Sequence, residues 1–320
     1  MEDTELKRVN IFKLVQRFLK NPPLIVWGSG ATTPYGIPSM GELNETLKDK
    51  IDGFDILNEN LEIELGKEKY VEMMPQIKQA IWEKVNTADI AVLKRIIQNS
   101  NNEFIGVKLL IEKIIETHPQ VVNIVTTNYD RLLEFILSYN NIPYTDGFNG
   151  RTLSIFDENQ FQDKGKVNLI KVHGSLNWFD LGSDIRYLPC NSQEETPMII
   201  APGKNKYQEA YHSPYRELIQ KADNLIKAAS SFLAIGFGFN DEHLTPKIKA
   251  KVKNGTPIVL ITRNISEGCY EELKDAEKYM LFEKSENDNT KIIYKNGSED
   301  IKEEELDGDY WQLKKFMEIL

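Results

Sequence analysis

The sequence predicts an α/β protein whose Rossmann-like, doubly wound parallel sheet carries an inserted helical subdomain. Short apolar runs, each bounded by Gly, Asn, Pro or charged residues, recur along the chain. Uninterrupted apolar strands are typical of a parallel sheet that is covered on both faces. Segments with helical spacing lie between these runs, and such alternation indicates right-handed strand–helix–strand units. A chain of 320 residues, 41% of them hydrophobic, can also bury one large core.

The individual elements follow from the spacing of apolar residues. Helices are predicted over Asp130–Ser138 and Ser213–Ala229, where Leu, Ile, Phe and Ala recur every three or four positions. Both helices follow or precede an apolar run, as the doubly wound arrangement requires. The predicted strands are Leu24–Trp27, Val121–Thr126, Asn168–Val172, Met198–Ile200, Phe232–Ile235 and Ile258–Thr262.

We expect a single domain over residues 1–320. The stretch 40–118 contains no convincing strand, and its Leu, Ile and Met residues recur at helical spacing, which predicts a helical insertion. Residues 265–320 are predicted to form a C-terminal extension. Within it, Ser285–Glu305 is polar enough to be a loosely packed hairpin, and Asp309–Leu320 is predicted to be an amphipathic terminal helix.

Composition excludes several classes of function. A net charge of −10 argues against a direct nucleic-acid interface, which draws its affinity from clustered Lys and Arg. No apolar run approaches the roughly 20 residues that span a bilayer, and the acidic N-terminus does not resemble a secretory signal. We therefore expect a cytoplasmic protein without membrane contact. The two cysteines, Cys190 and Cys269, rule out a four-cysteine zinc site and predict reduced thiols.

A glycine-rich turn follows the first predicted strand. Residues 28–38 read Gly-Ser-Gly-Ala-Thr-Thr-Pro-Tyr-Gly-Ile-Pro. The glycines alone fit a plain strand-to-helix turn as well as a phosphate-binding turn. The whole string, however, resembles the first signature of the sirtuin family, which implies that the turn holds the pyrophosphate of NAD and that Gly-Ile-Pro covers the nicotinamide end. The NAD-binding residues predicted here are Gly28, Ser29, Gly30, Thr32, Ile37 and Pro38.

Polar residues also follow the second and third predicted strands. Thr127, Asn128 and Asp130 come after Val121–Thr126, and His173 ends the next strand. Ligand-contacting groups of an open α/β sheet are expected at such carboxyl ends, although Asn and Asp also commonly cap helices. A neutral imidazole accepts a proton near neutral pH. The remaining histidines are predicted to be structural or at the surface; they are His118, His212 and His243.

These two segments resemble further sirtuin motifs, Thr-Gln-Asn-x-Asp and His-Gly. The resemblance implies that Asn128 orients a water or the ribose, that Asp130 contacts the nicotinamide side, and that His173 is the general base. A second glycine turn and the end of the next strand resemble the family's adenosine-binding segments, although the glycines could equally form a tight turn. The residues predicted to contact the adenosine half are Gly236, Phe237, Gly238, Asn240 and Asn264.

Departures from the sirtuin pattern bear on the reaction. Residues 179–196 contain only Cys190, so the zinc module of the deacetylases is missing. Ser39-Met40-Gly41 replaces the family's Asp-Phe-Arg, and Thr127 replaces a Gln. In these respects the chain resembles the bacterial sirtuin-like branch of antiphage defence systems, which implies destruction of NAD rather than editing of proteins.

The resulting hypothesis is an NAD+ glycohydrolase that cleaves the nicotinamide–ribose bond, with NAD+ as substrate and no metal. Asn128, His173 and Asp130 are the predicted catalytic residues. A NAD-dependent protein deacylase and a non-enzymatic nucleotide sensor remain open as alternatives. By family analogy alone we expect a homo-oligomer, with a HerA-type ATPase or an Argonaute-like protein as a candidate partner.

Overall fold

A nine-stranded sheet lies at the centre of the protein, and a separate three-stranded antiparallel sheet lies beside it. The structure is a computed structural model. It describes residues 2–55, 61–99, 103–149, 152–182, 184–189, 196–201 and 212–320. The predicted α/β class is confirmed.

The strands occur in an order along the chain that differs from their order in the sheet. They are β1 Leu24–Trp27, β2 Val121–Thr126, β3 Tyr144–Thr145, β4 Lys166–Lys171, β5 Gly174–Asp180, β6 Ile185–Tyr187, β7 Thr196–Ile199, β8 Phe232–Ile235, β9 Ile258–Ile261, β10 Lys278–Lys284, β11 Thr290–Asn296 and β12 Lys302–Leu306. The large sheet has the order β12-β11-β10-β9-β8-β1-β2-β4-β3, and the small one has the order β6-β5-β7. From β3 to β10 the large sheet is parallel, and the last two strands are antiparallel.

Helices cover both faces of the large sheet. They are α1 Glu2–Phe18, α2 Met40–Lys50, α3 Leu61–Leu65, α4 Met74–Asn99, α5 Ile105–Ile115, α6 Leu132–Tyr139, α7 Tyr215–Ala228, α8 Thr245–Lys253, α9 Glu267–Leu273 and α10 Leu313–Phe316. Alternate residues of β1 point to opposite faces. Ile25 and Trp27 pack with α1, α2 and α4–α6, whereas Leu24 and Val26 pack with α7–α9. Burial on both sides explains why this strand is apolar at every position.

Each predicted strand occurs in the structure, but one of them joins a different sheet, and four observed strands were not predicted. Strands β1, β2 and β8 have the predicted bounds, and β4 and β9 differ by one or two residues. The run Met198–Ile200 was wrongly predicted to join the parallel sheet, because it belongs to β7 and pairs antiparallel with β5. A three-residue apolar run gives no information about which sheet it joins. The strands that were missed are β3, β5, β6 and β10. In β10 the residues Tyr279–Phe282 are fully buried.

Residues 40–118 carry helices α2 to α5, and none of the described positions of this stretch forms a strand. Two contacts fix α4 to strand β5 and to the segment that follows β2. Trp82 donates from its indole Nε1 to the carbonyl of Leu176 at 2.9 Å. Arg131 donates from its backbone N and from Nε to the buried carboxylate of Asp89, at 2.6 and 2.8 Å. These helices share the apolar core on one face of the sheet. The boundaries of the predicted insertion stay a prediction.

The C-terminal segment completes the sheet. Strands β11 and β12 form the expected hairpin, which is not loosely packed, because it extends the large sheet through β10. The terminal helix is shorter than predicted, since α10 covers only Leu313–Phe316. The flanking Tyr310 and Ile319 are nevertheless buried in the core. None of the helices in the described ranges is long and apolar enough to cross a bilayer.

Candidate active site

A cavity of about 550 Å³ lies at the carboxyl ends of β1, β2, β4 and β8. From β1 the chain builds β2, β3 and β4 on one side and then crosses to β8 on the other. Such a reversal of strand order opens a crevice in which ligands of doubly wound sheets bind. The polar lining residues include Ser29, Thr32, Thr127, Asn128, Asp130, His173, Asn240 and Asp241.

The two glycine turns of the sequence pack directly against each other. Gly28 donates from its backbone N to Ile235 O, and Gly30 donates to Gly236 O, both at 2.9 Å. A Cβ atom on Gly28 would lie 2.3 Å from Gly236 O. Gly236 has a φ of +57°, and its own Cβ would lie 2.1 Å from the backbone N of Ala31. Glycine is therefore required here for the contact between two backbones, in addition to any role in ligand approach.

Asn128 is held against the first of these turns. Its side-chain Nδ2 donates to the carbonyl of Gly28 at 3.1 Å and to Thr32 Oγ1 at 3.3 Å. Its backbone N donates to Thr126 Oγ1, which itself donates to Trp27 O. The side chain is 8% exposed and lines the cavity. The end of β2 and the turn after β1 therefore form one rigid wall.

Asp130 is a buried carboxyl in the same wall. Its Oδ1 accepts a hydrogen bond from Leu132 N at the start of α6, at 3.2 Å. Burial raises the pKa of Asp130 from 3.8 to about 7; Lys171 opposes this rise, and Asp89 and Glu134 add to it. The ammonium of Lys171 donates to the backbone carbonyl of Asp130 at 2.7 Å and forms a buried ion pair with Glu134 at 2.5 Å. Asp130 thus changes protonation near neutral pH.

His173 follows β4 and is 5% exposed. Its Nε2 lies 3.1 Å from Oδ2 of Asp241, which comes from the turn after β8. The other carboxylate oxygen, Oδ1, accepts hydrogen bonds from His243 N at 3.1 Å and from Leu244 N at 2.8 Å. Asp241 was not among the predicted site residues. Its position directly after the predicted Asn240, at a strand end, was the signal that could have indicated it.

His173, Asp241 and His243 together could hold a metal ion. Each offers one ligand atom, and these atoms all lie within 4.8 Å of one another. Two imidazoles and a carboxylate form a donor set that suits Zn²⁺. His243, predicted to be structural or at the surface, thus lies beside the predicted base, with ring centroids 6.3 Å apart. The expectation that the reaction uses no metal stays a prediction.

The loop after the first turn forms the apolar rim of the cavity. Ile37 and Pro38 line it, together with Met40 at the start of α2. Tyr35 anchors this loop, because its carbonyl accepts a hydrogen bond from Arg95 of α4 and its ring stacks on Phe104 at 5.0 Å. The Gly-Ile-Pro segment is therefore fixed to the helices that cover the sheet.

Most of the predicted site residues converge on this cavity. Gly30, Gly236 and Asn264 are the exceptions, since they do not line it. The two glycines instead join the turns to each other. Ser266 and Gly268, which the sequence did not indicate, line the cavity in the region of α9 where Asn264 was expected. Cys269 of α9 is a buried free thiol, and Cys190 lies outside the described residues.

The family match covers the sequence motifs from the second predicted strand onward and does not include the first glycine turn. The SIR2-like domain family matches residues 122–287, which is more than half of the chain. The chain belongs to the SIR2-like family. This SIR2-like segment contains Asn128, His173 and the second glycine turn. The predicted membership of the antiphage branch stays a prediction.

Several solved sirtuin structures are similar to this SIR2-like chain. One, titled as the structural basis of sirtuin substrate affinity, has 14% identity and a TM-score of 0.48 over 80% of this chain and 88% of its own. A Sir2 homologue in complex with NAD has 14% identity and a TM-score of 0.48 over 84% and 87%. A Sir2 variant with a deacetylated p53 peptide and 3′-O-acetyl ADP-ribose has 12% identity and a TM-score of 0.47 over 96% of both chains. No curated protein matches this sequence.

Proposed function

We propose that this SIR2-like protein binds NAD+ in the cavity and hydrolyses its nicotinamide–ribose bond. One observation carries the proposal: Asn128 and His173 follow neighbouring strands and line the same cavity as the glycine turn. An amide donor and acceptor, a base and a phosphate-binding turn are the groups that this reaction needs. A volume of about 550 Å³ is also in the range of small-molecule and cofactor sites.

The proposed binding mode places the ligand across the reversal of strand order. The pyrophosphate lies at the Gly28–Thr32 turn, where backbone amides and short side chains can donate to it. The nicotinamide end lies toward Ile37 and Pro38, and the adenosine half lies toward Phe237, Gly238 and Asn240. Both glycine turns would then contact one molecule, and their tight packing on each other would keep the spacing between its two halves.

In the proposed reaction the bond between nicotinamide nitrogen and ribose C1′ breaks, and nicotinamide leaves with the bonding electron pair. Positive charge develops on the ribose, as in other glycosidic cleavages. Asn128 positions a water against C1′, and His173 accepts a proton from that water as the new C–O bond forms. Asp130 orients the carboxamide or the ribose. The products are nicotinamide, ADP-ribose and one proton, and no step uses a metal ion.

Hydrolysis is favoured over protein deacylation by the cysteine content. The chain has only two cysteines, so it cannot form the four-cysteine zinc module of the deacetylating sirtuins. The residues proposed for NAD cleavage, Asn128, Asp130 and His173, line the cavity, whereas the module associated with the protein substrate is missing. Depletion of NAD in antiphage defence, a homo-oligomer and a HerA-type partner are further proposals that rest on the family resemblance.

The test is a time course of the purified protein with NAD+ and without peptide, resolving nicotinamide, ADP-ribose and cyclic ADP-ribose. We expect nicotinamide release that is lost in His173→Ala. His118→Ala is the matched control, because His118 is exposed and lies at the opposite, amino-terminal edge of the sheet. Consumption of NAD only with an acyl-lysine peptide would replace the proposal with a deacylase. Calorimetric binding of NAD without turnover in any of these samples would indicate a sensor.

A further inference from the structure

The contact between His173 and Asp241 joins the two halves of the sheet. His173 follows β4 on one side of β1, and Asp241 follows β8 on the other. Both side chains are about 95% buried, and Nε2 lies 3.1 Å from Oδ2. From this geometry we infer that Asp241 is a positioning residue that holds the proton of His173 on Nε2. The inference rests on the proposed function, in which His173 is the base.

The chemistry of the pair determines the tautomer. A neutral imidazole has one N–H and one lone pair. The carboxylate of Asp241 favours the tautomer that carries the proton on Nε2. In the other tautomer the lone pair of Nε2 would face the lone pairs of Oδ2, and the two would repel. Nδ1 is then the acceptor for the proton of the attacking water. The same carboxylate stabilises the imidazolium that forms when His173 takes that proton.

Asp241 is well suited to this role because its position is fixed independently of His173. Oδ1 accepts two backbone hydrogen bonds, from His243 and Leu244, in the turn that leads into α8. These bonds fix the carboxylate so that Oδ2 lies 3.1 Å from Nε2 of the imidazole, although the two groups are not aligned as a hydrogen bond in this structure. The ring has only to rotate until the N–H points along the 3.1 Å contact for a charge-assisted hydrogen bond to form.

The variant Asp241→Asn separates this role from the structural one. The carbonyl oxygen of Asn can still accept both backbone hydrogen bonds, so the turn before α8 is retained. Only Oδ2 changes, from an acceptor to an NH2 donor. Donation from this group to Nε2 moves the imidazole proton to Nδ1, which removes the acceptor that the reaction needs.

The experiment measures kinetics and tautomer on the full chain. We expect kcat for NAD+ to fall on the order of 10²- to 10⁴-fold in Asp241→Asn. KM should stay within about threefold and the melting temperature within about 3 °C. Asp157→Asn is the matched control, because Asp157 also accepts from a backbone amide two residues ahead, is far less buried and lies outside the cavity lining. It should keep wild-type kcat.

The tautomer is measured by ¹⁵N NMR of histidine-labelled protein at about pH 9, where ordinary imidazoles are neutral, with the His173 signals assigned through His173→Gln. We expect the proton on Nε2 in the wild type and on Nδ1 in Asp241→Asn. An unchanged tautomer, or wild-type kcat in the variant, would overturn the inference. The spectrum does not depend on turnover, so it distinguishes failure of this inference from failure of the proposed hydrolase activity.

Discussion

The contact between the two glycine turns can be tested at Gly236, which does not line the cavity. In Gly236→Ala, the φ of +57° costs about 1–2 kcal/mol for an L side chain. The new Cβ would also lie 2.1 Å from Ala31 N and 2.3 Å from the carbonyl carbon of Gly30. Overpacking of this kind adds about 1–3 kcal/mol. We therefore expect the free energy of unfolding to fall by about 2–5 kcal/mol, the sum of these two costs.

Gly236→Ala should also lower the rate of NAD+ turnover, although residue 236 is not part of the cavity lining. Restoring an ordinary contact of about 3.4 Å at Ala31 N requires the turns to separate by about 1.3 Å, the difference from the 2.1 Å measured at Gly236. A misplacement of about 1 Å can cost about 10²-fold in rate. We expect NAD+ turnover to fall by at least this factor, although no lining residue has changed.

The assay combines urea unfolding at 25 °C with calorimetric NAD+ binding and nicotinamide release. Gly165→Ala is the matched control, because Gly165 has a φ of +71° and nothing within 4 Å of its Cβ position. Gly165→Ala therefore has the free-energy cost of the positive φ without the cost of overpacking. If Gly236→Ala were as stable as this control and turned over NAD+ at the wild-type rate, the packing of the two turns would not position the site.

Two other predictions concern the buried charges in the cavity wall and directly beside it. The pKa of Asp130 is raised to about 7 in the folded state, so the folded protein binds more protons than the unfolded chain between about pH 4 and 7. The contribution of Asp130 to stability is therefore lost as the pH rises through 7. Asp130→Asn should make the free energy of unfolding, measured in urea, less dependent on pH. An equal dependence on pH in both proteins would refute this. Lys171→Met leaves the Glu134 carboxylate buried without its cation and should destabilise by about 3–5 kcal/mol in the same assay. We expect the double variant Lys171→Met/Glu134→Leu to regain stability. If Lys171→Met alone were as stable as the wild type, the ion pair would not have this role.

Much of the fold was predictable because its strands are buried on both faces. Leu24–Trp27 and Phe232–Ile235 are apolar at every position, so their bounds can be taken from the sequence. The run at Met198 has the same composition, but its partner is set by the path of β5, which no local pattern encodes. The terminal helix is shorter than its amphipathic pattern, and the apolar residues Tyr310 and Ile319 are buried in the core outside the helix.

The sequence predicted which strand ends form the site. It did not predict which side chains and backbone groups contact one another there. Parallel strands bring their carboxyl ends to one edge, so Asn128 and His173 were expected to lie close together. The contact of Gly30 with Gly236 joins residues far apart in the chain, and it assigns these glycines to packing rather than to the lining. The approach of Asp241 to His173 likewise depends on β1 lying between β8 and β2.

Helix α4 contacts the segment after Asp130 in the wall of the cavity and also the loop that leads to the apolar rim, although it contributes only Val85 to the described lining. Its Asp89 holds Arg131, the residue after Asp130, and six positions later its Arg95 holds the carbonyl of Tyr35 in the loop that leads to the rim. Asp89 and Arg95 are therefore about 9 Å apart along the helix axis, and this distance separates the two anchoring contacts. A rigid shift of α4 would move its two contacts, with Arg131 and with Tyr35, together, whereas a bend between Asp89 and Arg95 would change the distance between these contacts. The distance between the wall that contains Asp130 and the apolar rim therefore depends in part on a helix that lies behind both.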